Sequence, residues 1–444
     1  MTDEPPRSIL GMVFLTVLID MIGFSVIFPL FPQMLTYYVG LEGPHSLVGQ
    51  LAHFLGQIAA EPFAVVALFG GVLGSLYSVL QFLFAPLWGG LSDRIGRRPT
   101  LLVTLAGTAF SYALWFVAGT FGVLVIARLV GGVMAGNVST ASAVVADRCE
   151  GPERAKGMGI LGAAIGLGFV IGPAVGGVTA LWNVLASWPA GSAYGINPFS
   201  ACAGASFLLA SINFLWVARR FPETRRALRV ESAAVGTAPR RTINPIGALL
   251  RIDQPGVRLA DLAYFLYLTA FSAMEFSLTF LAVERLAYQP LDNMWMFVFV
   301  GITIAVIQGG VVRRLVPRLG ERMVTTVGIG LTIPGFVIVG AARTSAVLYV
   351  GLALLSVGSA LVMPSLSALV SRYSPVDRQG LSLGIFRSLG SLARAIGPIL
   401  GGVAYWRLGS WAPYYLGAGV LLAPLGLSML LPPVADQPEV PAES

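Results

Sequence analysis

Five ionisable side chains lie inside segments that are otherwise apolar. Asp20 stands in "LIDMIGFSVIFPLFP" (18–32), Arg128 in "FGVLVIARLVGGVMAGN", Glu275 in "FLYLTAFSAMEFSLTFLAVERL", and Arg387 and Arg394 in "GIFRSLGSLARAIGP". A charge inside a membrane helix is costly unless paired or wet, so each is a functional candidate. Asp20 lies about twelve residues into its run, and at ~1.5 Å per residue that is roughly 18 Å deep, near the bilayer centre. Glu275, counted from Arg258, reaches a similar depth. Burial favours a neutral carboxyl and a nearby arginine favours the charged form, so either acid can carry a proton. Arg128 can bias that titration, form an ion pair with Asp20, or snorkel to the outer surface. Arg387 and Arg394, seven apart, share one helix face. Counted this way, two acids face three arginines inside the membrane, a surplus that suits an anionic substrate.

The elements that must hold these charges follow from composition. The chain has 444 residues, 56% hydrophobic and 11% charged, against about 25% charged in a soluble domain. Its 53 glycines suit helices that pack closely in lipid. A spanning helix needs about 20 apolar residues. Twelve such runs occur, near 9–35, 65–89, 100–119, 121–146, 156–181, 199–218, 258–282, 293–313, 323–342, 345–371, 379–405 and 411–431. The first is too long for a signal-peptide core and lacks a small-x-small cleavage site, so it reads as a retained helix. The expectation is an all-α membrane protein of twelve transmembrane helices.

The net charge of +7 is topological. With the N-terminus in the cytoplasm, 22 of the 28 basic residues fall on the inner side. Only Arg285, Arg343 and Arg407 fall outside, and Arg128, Arg387 and Arg394 lie within helices. That asymmetry sets the orientation, with both termini cytoplasmic, and leaves no call for nucleic acid. Two cysteines, Cys149 and Cys202, cannot build a disulfide framework, and the topology puts them near opposite faces.

The polar interval 219–257 separates an N-terminal six-helix bundle (1–218) from a C-terminal one (258–444) as a cytoplasmic linker. The halves echo each other. "WGGLSDRIGRRPTLLV" and "QGGVVRRLVPRLGERMV" align on Gly89–Gly90 and Gly309–Gly310, 220 residues apart, while "GPAVGG" (172–177) and "GPILGG" (397–402) lie 225 apart. Duplicated halves imply two pseudo-symmetric bundles with a site between them near the midplane. Residues 36–64 form an extracytoplasmic insertion in which Leu47, Leu51, Phe54, Leu55 and Ile58 follow helical spacing, an amphipathic helix. His45 and His53, eight apart and without a cysteine partner, make no metal site and read as surface residues.

The loop "GGLSDRIGRR" is the most specific signal. It resembles the signature loop of the major facilitator superfamily, and that resemblance implies a cytoplasmic gate built from Gly90, Asp93, Arg94, Gly96, Arg97 and Arg98. The second copy departs from it, with Arg313 standing where Asp93 would fall. In the fifth run, "GILGAAIGLGFVIGPAVGGV" spaces Gly162 and Gly166 by four, and likewise Gly168, Gly172 and Gly176; such rows let helix backbones touch, and Pro173 adds a kink. The ending formed by Gly172, Pro173, Gly176 and Gly177 resembles the antiporter motif of drug–proton exchangers. Arg128 resembles the arginine motif of that superfamily, linked there to proton coupling. Asp20-x-x-Gly23 with Pro29 and Pro32 resembles the first helix of tetracycline and multidrug efflux pumps, and its prolines suggest a helix built to bend. Residues 262–424 resemble the tetracycline-transporter-like branch, whose animal members are tied to organic-anion and drug transport.

The resemblance implies the major facilitator fold and a monomeric secondary transporter of the cell (inner) membrane. It would exchange protons for small amphiphilic organic compounds by alternating access, with no cofactor and the proton gradient as energy source. Asp20, Glu275 and Arg128 would couple protons; Arg387, Arg394, Glu275 and Asp20 would contact the substrate; Glu284 and Arg285 would form an exposed rim. An organic-anion transporter on the same fold is the alternative, followed by a receptor or scaffold that moves nothing. An enzyme is not expected, since no nucleophile–base pair or ligand cluster occurs, and a nucleotide-driven pump lacks its GxxxxGK[ST] loop.

Overall fold

The computed structural model describes residues 6–61, 63–149, 151–224, 254–375 and 379–433. Most of the interval 219–257 lies outside them. Among the described residues there is no strand, and sixteen α-helices follow one another. In the first half these are α1 (Pro6–Ser25), α2 (Phe31–Leu41), α3 (Leu47–Gly56), α4 (Ala64–Ile95), α5 (Arg97–Phe116), α6 (Phe121–Met134), α7 (Asn137–Arg148), α8 (Gly151–Thr179), α9 (Val184–Ser187) and α10 (Ser200–Arg220). The second half holds α11 (Pro255–Leu286), α12 (Pro290–Val306), α13 (Arg313–Ala341), α14 (Ser345–Tyr373), α15 (Gln379–Leu408) and α16 (Ala412–Leu430). Eleven segments are long and apolar enough to cross a membrane. One, Pro290–Ala341, runs 52 residues. At ~1.5 Å per residue that is roughly 78 Å, two crossings of a ~30 Å hydrocarbon core, so the twelve predicted runs are all accounted for. Side chains such as Leu208 and Ile302 stand more than half exposed on the outside of the helices, where lipid solvates them.

Three runs carry breaks that matter for the site. The first is two helices: Pro29 and Pro32 remove backbone donors, and a 3₁₀ turn at Phe28–Leu30 joins α1 to α2. Helix α2 continues to Leu41, so the insertion begins there rather than at 36, and its amphipathic helix is α3. His45 and His53 are both exposed. The fourth run breaks at Ala135–Gly136, where the Trp88 indole lies against Gly136 and donates to the Val133 carbonyl at 2.6 Å. That break points Asn137 inward. In the eighth run, a π turn at Ile307–Val312 carries α12 directly into α13.

Of the glycines in α8, Gly168, Gly172 and Gly176 press on α1. A Cβ at Gly172 would meet Ser25 Oγ at 1.9 Å, and one at Gly176 would meet the Val26 carbonyl oxygen at 2.0 Å. Gly162 and Gly166, paired with them by spacing, have nothing within 4 Å. Between the halves, α8 meets α12 through Gly177 on Met294 and Val170 on Gly301, and α4 meets α15 through Gly71 on the Pro398 carbonyl. Asn293 Nδ2 donates to the Pro29 carbonyl (3.2 Å) and Gln33 Nε2 to the Tyr288 carbonyl (3.1 Å) across the same seam. One turn from Val170, Gly166 faces open space, as do Gly309 and Gly310 beyond Gly301. The halves are therefore closed at one end and part toward the end that carries Arg97, where Arg387 still bridges them to Ser142 and Met158.

Candidate functional site

Where the halves part, they enclose a cavity of about 100 Å³. Its charged walls are Arg128 from α6, Glu275 from α11 and Arg394 from α15. The remainder is largely aromatic. Phe24 packs on Phe28 (5.4 Å between centroids) and Phe169 (5.9 Å), Phe28 reaches Phe297 across the halves (6.3 Å), and Tyr77 lies 4.9 Å from Phe24. The Arg394 guanidinium sits 5.1 Å above Phe169, a cation–π contact between the halves. Arg128 sits 5.4 Å above Trp115, which steadies it without neutralising it. Arg128 is 7% exposed, and among the described residues no carboxylate lies within 4.0 Å of it. Glu275 feels the Arg394 charge without forming an ion pair. Two guanidiniums and one carboxylate thus face an apolar, ring-lined space.

Asp20 does not line that cavity. Its Oδ1 accepts from Asn137 Nδ2 at 2.8 Å, and Asn137 Oδ1 accepts in turn from Thr104 Oγ1 at 2.5 Å. The Asp20–Arg128 ion pair, one of the alternatives the sequence leaves open, is absent. Tyr77 and Tyr112 lie within electrostatic reach of both residues. Asn137 gave no sequence signal beyond following a glycine, since its role comes from the helix break. Arg387, one face with Arg394 but two turns nearer the Arg97 end, donates to Ser142 Oγ (3.4 Å) and Met158 Sδ (3.3 Å) of the other half rather than entering the cavity. Glu284 and Arg285 are not an exposed rim. Glu284 accepts from the Tyr405 hydroxyl, and Arg285 donates to Ser410 Oγ (3.0 Å) and to the Gly340 and Ala342 carbonyls (2.7 and 3.2 Å).

The count of membrane acids was one short. Asp261 in α11 is fully buried, and among the described residues neither carboxyl oxygen has a hydrogen-bond partner. Three residues from Arg258, it reads in sequence as one more charge at a helix rim.

The signature loop forms a charge network. Arg97 donates to Asp93 Oδ1 (2.6 Å) and Ser92 Oγ (2.6 Å) and reaches Asp147 at the end of α7 through Nε (2.7 Å) and Nη2 (3.2 Å). Glu223 caps α5 by accepting from the Arg97 and Arg98 amides at 2.9 and 3.2 Å. Gly96, at φ 108°, makes the reversal between α4 and α5. Asp147 and Glu223 were not singled out from sequence because their partners are far along the chain.

The chain matches a known family. The family model described as Major Facilitator Superfamily matches residues 13–341 and 262–444. The chain belongs to the Major Facilitator Superfamily. Within it, the chain is 36% identical to human major facilitator superfamily domain-containing protein 10 over 441 residues, 95% of this chain and 93% of that one. It is 31% identical to the class G tetracycline resistance protein of Vibrio anguillarum over 433 residues, 97% and 98% of the two chains. The crystal structure of the human organic anion transporter MFSD10 (TETRAN) is similar, with a TM-score of 0.72 and 34% identity over 96% of this chain and 100% of that one. As a superfamily member, the chain is a multi-pass membrane transporter of twelve apolar runs, and its central cavity lies where the two halves of that fold meet.

Proposed function

We propose that the protein is a secondary active transporter that exchanges protons for small amphiphilic organic compounds by alternating access. The central cavity carries this reading. Ring-lined walls suit an apolar body, and Arg128 and Arg394 against a lone Glu275 suit a substrate that bears an anionic group. The names of the relatives, organic anion transporter and tetracycline resistance protein, support the same class of cargo. Asp20 and Glu275 are the proton carriers, and Arg128 biases them. The Arg97 end faces the cytoplasm, in keeping with the excess of basic residues on that side, and the protein acts as a monomer in the cell membrane without a cofactor. In this conformation the cavity faces the cytoplasm, and the Asp93–Arg97–Asp147 network belongs to the gate that closes it in the alternate state.

The test is flux in proteoliposomes under an imposed pH gradient, with a panel of cationic, zwitterionic and anionic fluorescent compounds. Gradient-driven movement of amphiphilic anions, lost in Arg394→Ala and uncoupled in Asp20→Asn or Glu275→Gln, is the expected result. Flux that ignores the gradient, with both acid substitutions silent, would overturn the coupling; no flux of any compound would overturn the transport reading.

A further inference from the structure

Asp261 is an anomaly that the central cavity does not explain. It lies on α11, two turns from the Arg97 end, with no exposed surface and no donor to either oxygen. An ionised carboxylate so placed is strongly disfavoured, because nothing replaces the hydration it has lost. A purely structural side chain here would be apolar, as Ala260 and Ala263 beside it are. An acid kept without a partner suits a group that holds a proton in one state and finds a counter-charge in another.

The surroundings name that counter-charge. On α11 itself the nearby titratable groups are Arg258 and Tyr264. From α15 they are Arg387 and Arg394, and from the end of α14 Arg372 and Tyr373; α16 has no charged residue. Arg372 is engaged with Glu321 at 2.8 Å, and Arg394 lies over Phe169 at the cavity. Tyr264, one turn on from Asp261, feels the charges of Arg394, Arg387 and Asp261 together. Its ring stacks on Phe386 at 3.7 Å, and its hydroxyl fills the space over Gly390. Phe386 precedes Arg387, so the Tyr264–Phe386 stack ties the Asp261 turn to the Arg387 turn. In this conformation Arg387 reaches the other half, at Ser142 and Met158. Those contacts cannot survive a relative movement of the halves at this end.

We propose that Asp261 is a proton-binding site of the C-terminal half and that Arg387 becomes the partner of its carboxylate when the proton leaves. The Asp261 O–H bond breaks, the proton passes to water entering from the Arg97 end, and the electron pair stays on the carboxylate. Arg387, released from Ser142 and Met158 as the halves move, then donates to it. The site deepens the proton-coupled reading and adds a carrier remote from the cavity.

The decisive measurement is infrared absorption of the reconstituted full-length protein across a pH series, followed in the stretch of protonated carboxyl groups. The expected wild-type spectrum has a component that fades as the pH rises, is missing in Asp261→Asn, and persists in Asp20→Asn/Glu275→Gln. Asp261→Glu, which keeps an acid should the Asn variant fold poorly, retains it at a shifted frequency. In Arg387→Gln the component survives to at least tenfold lower proton concentration, because the carboxylate lacks its partner. Identical spectra for wild type and Asp261→Asn at every pH would overturn the site, as would a component that never fades while the protein stays folded. A midpoint unmoved by Arg387→Gln would overturn the pairing. Failure of the coupling reading is separately visible: pH-driven flux would be intact in Asp20→Asn/Glu275→Gln whatever the Asp261 band does.

Discussion

Arg372 donates to both oxygens of Glu321 at 2.8 Å, in the place where Arg97 donates to Asp147 in the first half, with the charges exchanged. Glu321 follows Arg97 by 224 residues and Arg372 follows Asp147 by 225, close to the spacing of the two GPxxGG segments. The preceding glycines agree: Gly96 and Gly320 both have positive φ, at 108° and 74°. The second copy of the loop is therefore in register at Gly320, with one extra helical turn before it, not at Gly309–Gly310. In this register Pro317, rather than Arg313, stands opposite Asp93.

The two pairs differ in burial, which predicts different costs. Arg97 is 8% and Asp147 21% exposed, against 38% for Arg372 and 13% for Glu321. Removing Asp147 takes charged hydrogen bonds worth about 1.5–3 kcal/mol from a buried guanidinium that keeps Asp93 and Ser92, while a half-exposed pair is worth about 1 kcal/mol or less. Asp147→Asn should lower the apparent melting temperature in detergent clearly, Arg372→Gln only slightly, and the double exchange Glu321→Arg/Arg372→Glu should restore the wild-type value. Equal loss from both single variants would contradict this ranking.

Glycines of one helix should separate just as sharply. Gly176→Ala drives a methyl into the Val26 carbonyl, a backbone atom that has no rotamer with which to retreat. Overpacking of that kind costs about 1–3 kcal/mol. Gly166→Ala meets nothing and gains helix propensity of about 0.5–1 kcal/mol. Size-exclusion profiles after heating should show Gly176→Ala aggregating at lower temperature than wild type and Gly166→Ala at the same temperature or higher.

That contrast marks the reach of sequence reading here. Periodic apolar runs, basic asymmetry and the Asp93–Arg98 loop were legible because each is local. Asp20, Glu275 and Arg128 stood out for the same reason, as charges in apolar surroundings. What was not legible depends on tertiary approach. Gly166 and Gly176 carry the same spacing signal, and only the position of α1 tells them apart. Asp261, three residues from Arg258, carries no sequence signal, and its burial comes from the packing of α11 against α14, α15 and α16. Asn137 acquires its partner from a helix break against which Trp88 packs, and no proline announces that break.

Asn137 supplies the hydrogen bond that Asp20 receives, and Thr104 orients Asn137. Asn137→Leu keeps similar bulk and removes that donor, so the carboxylate form of Asp20 loses its support. Proton-driven flux should fall about tenfold with little change in thermal stability, and Thr104→Val should show a weaker loss of the same kind. The comparison is made in proteoliposomes over a pH series; an Asn137→Leu profile that superimposes on wild type would remove Asp20 from the coupling path.

The closed end of the cavity rests on a contact that admits no side chain. A Cβ at Gly71 would stand 2.5 Å from the Pro398 carbonyl oxygen and 3.2 Å from Gly402 Cα, where α4 crosses α15 between the halves. Because α4 and α15 belong to different halves, the strain of a larger residue is relieved by parting them rather than by repacking one bundle. Gly71→Val should therefore shift the population toward the state open at this end. A cysteine at Thr279, on the cavity wall, reports that shift once Cys149 and Cys202 are replaced by serine. Its reaction with a membrane-impermeant thiol reagent applied from the side opposite Arg97 should quicken at least tenfold in Gly71→Val. Unchanged reactivity in a folded variant would mean that the α4–α15 crossing is not what seals the cavity.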